Sequence, residues 1–420
     1  MKTMKQSNIE WIGKIPSDWD LMRLQFCLKE VNVKNNPIQT TQVLSLMKDV
    51  GVLPYEEKGD VGNKSKENVS EYRLAYPNTI VLNCMNILIG SVGISNYFGC
   101  VSPVYYVFKE TDKCDLRFIN YIFNTREFQK ELRKYAKGIL EIRLRVSADD
   151  IFKQKVPLPS KDVQTKIANF LDQKCSEIDS LSTDIQSQID ILEEYKKSII
   201  TEAVTKGLNP DVEMKDSGIK WIGMIPAHWD VDKGKYFLRY LQKSVKETDD
   251  VITCFRDGEV TLRTNRREDG FTISLKEIGY QGIDVGDLVV HGMDGFAGAI
   301  GISDSRGKAS PVLNVLDADH NKKYLMYYLR NMAYNGVFIA LATGIRVRTC
   351  DTGWNKLREL PYTLPPKNEQ DEIANFIDIK CAEVDVVIAD KKAQLETLAE
   401  YKKSLIYEYV TGKKEVPENV

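Results

Sequence analysis

The feature that most constrains the fold of this chain is an internal repeat that spans about half of its 420 residues. The segment WIGKIPSDWD at 11–20 returns as WIGMIPAHWD at 221–230, with seven of the ten letters unchanged. Later landmarks recur in the same order: GSVGIS at 90–95 as GAIGIS at 298–303, and IANFLDQKCSEID at 167–179 as IANFIDIKCAEVD at 373–385. The offset between the copies falls only from 210 to 206 residues. Such a slow drift is typical of two diverged copies of a domain-sized unit and not of a short-period solenoid.

Length and composition indicate a globular protein of about two to four domains. With 43% hydrophobic and 28% charged residues, the chain can bury sizeable cores. The beginning MKTMKQSNIEW has no apolar signal core, and no apolar run is long enough for a membrane helix. We therefore expect a cytoplasmic protein with no membrane partner. The eight cysteines form no C-x-x-C pair, which favours buried thiols over disulfides or a metal site.

Each copy contains two kinds of sequence. Short β-rich runs such as NTIVLNCM and PVYYVFK mix with short helical patterns, which predicts a compact α/β or α+β region. After PLPSKDVQ and TLPPKNEQ the chain is free of glycine and proline over a long stretch, which predicts a long helix. We therefore predict globular regions at 1–158 and 209–364, long helices at 159–208 and 365–413, and a tail at 414–420.

The two long helices are predicted to pair with each other as an antiparallel coiled coil with pseudo-two-fold symmetry. Apolar residues in three- and four-residue steps form a seam that a glutamine interrupts in each copy. The predicted seam residues are Ile178, Leu181, Ile185, Gln188, Leu192 and Tyr195 in the first copy, and Val384, Val387, Gln394, Leu398 and Tyr401 in the second. An unbroken first helix would be on the order of 60 Å long at 1.5 Å per residue. The alternative is that each helix packs only on its own globular region.

The order of these motifs resembles the specificity subunit of a Type I restriction-modification system. Each copy opens with WIG-IP--W and continues through a proline-containing segment into a long helix that ends in EYKKS. The resemblance therefore covers nearly the whole chain. It implies that each globular region is a target recognition domain that reads one half of a split, non-palindromic site in double-stranded DNA. It also implies that the paired helices dock two modification subunits, which bind S-adenosylmethionine, and that restriction subunits join the complex. The chain itself would be non-catalytic, with no cofactor of its own.

Candidate DNA contacts come from basic clusters, because the net charge of −2 provides no general attraction for nucleic acid. Phosphates need lysine or arginine, whereas base edges favour arginine on guanine and asparagine on adenine. The candidates are Lys64, Lys66, Arg143, Arg145, Arg263, Asn265, Arg266, Arg267, Arg346 and Arg348. The pairs in RLR and RVR alternate as on a strand and recur at similar places in both copies. Each cluster alone is also typical of a solvated surface, and an asparagine in a loop is often a turn residue.

Two other functions remain open from the residues alone. A stand-alone DNA methyltransferase needs an Asn/Asp-Pro-Pro-aromatic segment, which NNPI and LPPK do not supply, and a glycine-rich cofactor loop. The stretch GMDGFAGAIG lacks the G-x-G-x-x-G order and predicts a tight hairpin instead. A coiled-coil adaptor with two protein-binding domains is the other alternative. The three histidines have no metal spacing, and the four repeated tryptophans could stack on bases or anchor the first segment of each copy.

Overall fold

A four-stranded antiparallel sheet lies at the centre of each of two units in this computed structural model. The structure describes residues 3–48, 50–59, 68–138, 144–266, 277–340 and 352–417. Unit 1 consists of Met1–Ile185 together with Ala393–Val420, and unit 2 of Gln186–Lys392. Each unit therefore contains one globular region and parts of both long helices, which differs from the linear division expected from the sequence.

The elements of the first copy are short strands followed by helices. The strands are β1 (Met4–Gln6), β2 (Lys14–Pro16), β3 (Asp20–Arg23), β4 (Leu28–Glu30), β5 (Leu44–Met47), β6 (Gly51–Pro54), β7 (Arg73–Ala75), β8 (Thr79–Asn83), β9 (Val92–Ser95), β10 (Gly99–Val101), β11 (Tyr105–Glu110) and β12 (Lys155–Leu158). The helices are α1 (Leu116–Phe123), α2 (Arg126–Arg133), α3 (Ala148–Lys153) and the long α4 (Lys161–Lys206).

The second copy repeats this order. Its strands are β13 (Met214–Asp216), β14 (Met224–Pro226), β15 (Asp230–Lys233), β16 (Leu238–Tyr240), β17 (Ile252–Cys254), β18 (Val260–Leu262), β19 (Gln281–Ile283), β20 (Leu288–His291), β21 (Ile300–Ile302), β22 (Gly307–Ala309), β23 (Leu313–Ala318) and β24 (Pro361–Leu364). Its helices are α5 (Arg263–Arg266), α6 (Lys322–Tyr334), α7 (Val337–Ala340), α8 (Trp354–Leu357) and the long α9 (Lys367–Val410).

The central sheets share strand order and register. The order is β4-β11-β8-β9 in unit 1 and β16-β23-β20-β21 in unit 2. Val81 pairs with Gly93 in the first sheet, and Val289 pairs with Gly301 at the equivalent place in the second. The predicted tandem duplication of a mixed α/β region is thus confirmed.

Both faces of each central sheet are buried, because successive side chains of a strand point to opposite sides. In β8, Ile80 and Leu82 join the core formed with the helices, whereas Val81 joins a smaller core with the β5–β6 hairpin. In β20, Leu288 and Val290 face the helices, and the intervening valine faces the β17–β18 hairpin. A continuous apolar run is therefore what these strands require.

A buried glutamine explains the repeated lead into each long helix. Gln164 is fully buried; its Oε1 accepts from the amide of Asp115, the N-cap of α1, at 2.9 Å, and its Nε2 donates to the carbonyl of Pro159 at 2.9 Å. Gln370 makes the equivalent bond to the amide of Asn321, the N-cap of α6, at 3.0 Å. The glutamine therefore fixes the start of the long helix to the short helix of the same copy.

The repeated WIG-IP--W motif receives the end of a long helix. In unit 1, Gly412 follows α9 and packs so closely on Pro16 that an added Cβ would lie 2.5 Å from the proline ring. In unit 2, Gly207 follows α4 and packs less tightly against Trp229 and Pro226, at 3.3 and 3.7 Å from an added Cβ. Both glycines have positive φ, at +70° and +74°, which ends a helix at no steric cost only for glycine. Each copy of the motif therefore packs against the helix that comes from the other copy.

Within unit 1, the first part of α4 and the last part of α9 run antiparallel. The rings of Phe170 and Tyr409 are 4.6 Å apart, and Lys402 donates to Asp179 at 2.6 Å. Moving forward along α4 thus moves backward along α9. Apolar residues of both helix segments join the main core of the unit.

Unit 2 contains the complementary segments in the same arrangement. Lys196 donates to Asp385 at 2.6 Å, and Lys391 donates to Gln188. The pairs Asp179–Lys402 and Asp385–Lys196 occupy equivalent positions of the repeat, so each unit contains the same ion pair between its helix segments.

The row of residues between the helices differs from the predicted seam. In α4 the buried or half-buried row is Ala168, Leu171, Cys175, Ile178, Ser182, Ile185, Ile189, Leu192, Lys196, Ile199 and Ala203. In α9 it is Ala374, Ile377, Cys381, Val384, Ile388, Lys391, Leu395, Leu398, Lys402, Leu405 and Tyr409. Six predicted seam residues lie beside this row, exposed to solvent: Leu181, Gln188, Tyr195, Val387, Gln394 and Tyr401. The other five predicted residues, Ile178, Ile185, Leu192, Val384 and Leu398, belong to the true row. Periodicity alone does not separate two adjacent rows of one helix.

Candidate nucleic-acid interface

The residues predicted to bind DNA fall into two groups. Arg145, Arg263, Asn265 and Arg266 belong to the part of the chain that the structure describes. The others lie outside the described residues: Lys64, Lys66, Arg143, Arg267, Arg346 and Arg348. The described residues that flank these segments show which parts of the fold they leave and rejoin.

A turn after β20 in unit 2 is held by the side chain of His291. Its Nδ1 accepts hydrogen bonds from the backbone amides of Met293 (3.2 Å) and Asp294 (3.0 Å). Burial lowers the pKa of His291. Because a ring nitrogen that accepts hydrogen bonds does not carry a proton, the imidazole is neutral and its proton is on Nε2. The turn continues through a 3-10 helix at Gly295–Ala297 into β21, so GMDGFAGAIG lies in the predicted hairpin.

The segment 341–351, which contains one predicted arginine pair, is flanked on both sides by contacts to this turn. Thr352 follows the segment and is 1% exposed. Its amide donates to the carbonyl of Gly292 at 3.0 Å, and its hydroxyl donates to the carbonyl of His291 at 2.7 Å. Before the segment, α7 packs against the 3-10 helix Gly295–Ala297.

The β17–β18 hairpin packs against the same turn. A Cβ added to Gly301 in β21 would lie 2.0 Å from the carbonyl oxygen of Gly258 at the hairpin tip, so only glycine permits this approach. Beside it, Arg256 donates from Nη2 to Asp294 Oδ1 at 2.9 Å. The hairpin tip and the turn therefore form one continuous surface in unit 2.

The predicted RTNR residues form α5, directly after this hairpin. Arg263 donates from Nε to Thr253 Oγ1 at 3.0 Å, and Asn265 donates from Nδ2 to Thr261 Oγ1 at 2.9 Å. Both side chains thus hold α5 against the hairpin, and the Asn265 bond uses one of the two groups that an adenine contact needs. Arg266 instead forms ion pairs at the hairpin tip.

Unit 1 attaches its second basic segment in the same manner. The amide of Val146 donates to the carbonyl of Cys84 at 3.1 Å, which fixes the chain to the turn after β8. Just before it, Arg145 and Lys137 exchange two backbone hydrogen bonds of 2.9 Å. The side chain of Arg145 is exposed beside this turn. Val146 and Thr352 occupy equivalent positions of the repeat, so the attachment is a property of the framework.

Sequence reasoning found the basic segments and the hairpin at GMDGFAGAIG, but it missed that each basic segment attaches to such a turn. A repeated signal was available, because GSVGIS and GAIGIS begin at the glycine that ends each turn. Gly90 and Gly298 both adopt the left-handed region, with φ of 87° and 94°. A repeated glycine with this conformation is expected where a chain reverses tightly before a strand.

The histidines of unit 2 have structural partners. An open cavity of about 610 Å³ near the start of α9 is lined by His228 and His320 together with acidic residues and prolines. His228 Nε2 lies 2.7 Å from Glu369 Oε2, and His320 Nδ1 lies 2.9 Å from Gln370 Nε2. Both rings thus help to fix the beginning of α9.

Other chemistry considered from the sequence is limited by burial. Within the described residues, no group of three or more His, Cys, Asp or Glu could hold a metal ion, and no helix is long and apolar enough to cross a membrane. The seven described cysteines are free and buried. Trp11, Trp19 and Trp229 are buried and anchor their segments, whereas Trp221 is 39% exposed.

Comparison with known sequences identifies a related family. Residues 16–190 match the family described as Type I restriction modification DNA specificity domain. The Type I restriction enzyme MjaVIII specificity subunit of Methanocaldococcus jannaschii is 24% identical over 257 residues, which are 56% of this chain and 56% of that protein. The chain thus spans about half the length of the curated relatives that it matches.

Two solved structures share the fold over almost the whole chain. One belongs to a study of complex assembly and conformational transition of the type I R-M system; it has a TM-score of 0.69 and 12% identity, and covers 95% of this chain and 99% of that chain. The other is the HsdS subunit from Thermoanaerobacter tengcongensis, with a TM-score of 0.50, 11% identity, and coverage of 95% and 98%. At these identities the likeness concerns the fold.

Proposed function

We propose that this chain is the DNA-recognition subunit of a Type I restriction-modification complex; the match of residues 16–190 to the specificity-domain family and the similarity to curated specificity subunits support this role. Each unit reads one half of a split, non-palindromic site in double-stranded DNA. The readers are the globular regions 1–158 and 209–364, which act as target recognition domains. The chain works in the cytoplasm, contributes no catalytic residue and binds no cofactor.

One observation carries this proposal: the same framework occurs twice and attaches a predicted basic segment to the same turn in each copy. Thr352 and Val146 make equivalent bonds to the turns after β20 and β8. Two readers of different half-sites need recognition segments that are attached to the framework at the same place but carry different side chains. Phosphate contacts orient such readers, whereas base contacts give each its sequence preference.

The long helices are proposed to dock two modification subunits, which supply S-adenosylmethionine, and restriction subunits complete the assembly. Exposed apolar residues on these helices support this role, because an uncovered apolar row marks an interaction surface. In unit 1 they are Leu181 and Tyr401, which are 48% and 53% exposed. In unit 2 the equivalent residues Val387 and Tyr195 are 43% and 55% exposed. A row that occurs once per copy fits a partner that binds twice.

Exchange of one reader tests the proposal. Residues 1–155 are replaced by those of a homologue, and the chimera is expressed with the modification subunit while methylated positions in the host DNA are mapped. We expect one half of the methylated site to change and the other half to remain. The chimera keeps both long helices, so it should still co-purify with the modification subunit.

The reciprocal exchange of residues 209–364 is the matched control and should change the other half-site. A change of both halves in either chimera would contradict independent readers. Loss of co-purification would place the docking surface in the replaced region and not on the helices.

A further inference from the structure

Arg266 is held at the tip of the β17–β18 hairpin by two acidic residues. Its Nη1 donates to Asp257 Oδ1 at 3.0 Å and to Glu259 Oε2 at 2.8 Å. Its Nη2 lies 2.7 Å from Asp257 Oδ2. Asp257 therefore lies across both Nη atoms, and this charge-assisted contact orients the guanidinium.

The guanidinium is also fixed from one face. Its central carbon lies 4.1 Å from the centre of the Phe255 ring, within the range of a cation–π contact. The contacts with the two carboxylates and with the aromatic ring together define the plane of the guanidinium at the surface. The side chains of Arg266, Asp257 and Glu259 are 37%, 55% and 48% exposed, so the cluster remains accessible to a ligand.

The donor count leaves one edge of the guanidinium for such a ligand. An arginine has five N–H donors, and the two hydrogen bonds above use both hydrogens of Nη1. The remaining donors, on Nε and Nη2, are parallel and lie on one edge. Among the residues that the structure describes, no other acceptor contacts this edge.

Local charge argues against a phosphate as that ligand. One guanidinium beside two carboxylates carries a net charge of −1, which repels a phosphate, whereas the major-groove edge of a base pair is neutral. That edge of a G·C pair presents two acceptors, guanine N7 and O6, followed by the donor N4 of cytosine. Two parallel guanidinium donors are complementary to the two acceptors of guanine.

We propose that Arg266 reads the guanine of one G·C base pair in the half-site of unit 2. Arg266 donates from Nε and Nη2 to guanine O6 and N7, while Glu259 holds Nη1 on the opposite side of the guanidinium. Asp257 is a positioning residue that keeps the fork in place. This inference rests on the proposed function and adds which residue reads a base and which base it reads.

The corresponding place in unit 1 has different chemistry. Lys58 ends the segment that follows the β5–β6 hairpin, and its Nζ lies 4.1 Å from the centre of the Tyr55 ring. An ammonium group has no planar fork and cannot make the same bidentate contact. The G·C reading is therefore assigned to unit 2 alone.

The test measures base preference at single positions. The wild-type half-sites are first mapped by methylation in the complex with the modification subunit. Binding of that complex to duplexes randomised in both half-sites is then sequenced for the wild type, Arg266→Ala, Arg266→Lys and Glu259→Gln. We expect both Arg266 variants to lose roughly 5- to 150-fold of the preference for guanine at one position of the second half-site. The first half-site and the slope of affinity against salt should stay unchanged, and Glu259→Gln should weaken the preference at the same base pair.

Arg239→Ala is the matched control. Arg239 is also exposed and paired with two carboxylates, those of Asp317 and Asp319, but it lies on strand β16 away from the hairpin. It should leave both half-sites unchanged. Because Arg266→Lys keeps the charge, its effect separates the fork from the charge, and a thermal melt of each variant checks folding.

Three results would overturn the inference. One is an unchanged site in both Arg266 variants, and another is a G·C preference that Arg239→Ala reduces equally. The third is an unchanged site with a salt slope lowered by about one unit, which indicates a phosphate contact. Failure of the wild-type complex to show two independent half-sites would instead contradict the proposed function.

Discussion

Units 1 and 2 share a framework but stabilise it with different chemistry. After β4 in unit 1, the chain is organised by Asn35, which is fully buried. Its Oδ1 accepts from the amides of Gln39 and Thr40, and its Nδ2 donates to the carbonyls of Thr40 and Val69. A neutral amide satisfies its four hydrogen-bonding positions here without burying a charge.

Unit 2 uses an ionic network in the segment after β16. Lys243 donates to Asp284 and Asp287, and Arg306 donates to Asp249 and again to Asp284. The sheets still have the same order and register. Backbone pairing and apolar burial therefore determine the fold, whereas the polar contacts around it are free to diverge. Divergence of this kind lets one duplicated unit acquire two recognition surfaces.

The largest predicted difference concerns the second tryptophan of each repeated motif. Trp229 is fully buried and donates from Nε1 to Glu369 Oε1 at 3.0 Å, whereas the position equivalent to Glu369 in unit 1 is Val163. Trp229→Ala and Trp19→Ala should each lower the free energy of unfolding by about 3–5 kcal/mol. The loss should be greater for Trp229, because its removal also leaves Glu369 Oε1 without its donor.

Denaturant unfolding, with amide hydrogen exchange to assign each loss to a unit, measures this difference. Trp229→Phe keeps most of the packing and removes only the N–H donor, so it isolates the hydrogen bond. Equal losses of unfolding free energy for the two alanine variants would show that the hydrogen bond from Trp229 to Glu369 adds no stability to the motif of unit 2.

A smaller difference in stability is predicted for the two glycines that end the long helices, and here the loss is greater in unit 1. At Gly412 an added Cβ would lie 2.5 Å from the ring of Pro16, which cannot move away, whereas at Gly207 the nearest atoms are Glu369 Oε1 at 3.2 Å and Trp229 Cζ2 at 3.3 Å. Gly207→Ala should cost about 1–2 kcal/mol for its positive φ. Gly412→Ala should cost about 1–3 kcal/mol more, because it also overpacks the site.

Gly336→Ala is the control for backbone strain alone, since this glycine has a φ of +67° and no atom within 4 Å of an added Cβ. It should cost no more than Gly207→Ala in denaturant unfolding. If Gly412→Ala cost no more than this control, the close packing of the helix end on the unit 1 motif would play no part in stability.

The repeat in the sequence predicted the duplicated framework, because equal spacing of glycines and apolar runs requires equal backbone paths. It did not predict which row of the long helices is buried. The true row contains the polar residues Ser182 and Lys196, whereas the apolar residues Leu181 and Tyr195 lie just beside it and are exposed. Lys196 fits between the helices because its apolar stem packs there while its ammonium reaches Asp385. A contact between residues so distant in sequence is not encoded in the periodicity of one helix.

The candidate interface shows the same division. Basic clusters were visible in the sequence, but the roles within RTNR depend on where the hairpin places its own side chains. Asn265 and Arg263 bond to threonines of the hairpin strands, and Arg266 turns to the hairpin tip. The spacing of residues along α5 shows that these side chains point in different directions. Only their contacts with the hairpin show which side chains are structural and which remain accessible.

The smallest predicted effect is a pH dependence confined to unit 2. Hydrogen bonds from Lys243 (2.7 Å) and Arg306 (2.6 Å) lower the pKa of Asp284 to about 2, below the value of about 3.9 for an unfolded aspartate. The unfolded chain therefore binds the proton more readily, so this contribution is fully present above about pH 4 and is lost as the pH falls towards 2. Because the carboxylate is 45% exposed, solvent screening keeps the contribution below about 1 kcal/mol. The difference in unfolding free energy between wild type and Asp284→Asn should shrink between pH 7 and pH 3 and at high salt, while amide exchange in unit 1 stays the same. A difference that does not vary with pH would mean that shape, and not charge, makes the unit 2 network differ from the Asn35 amide of unit 1.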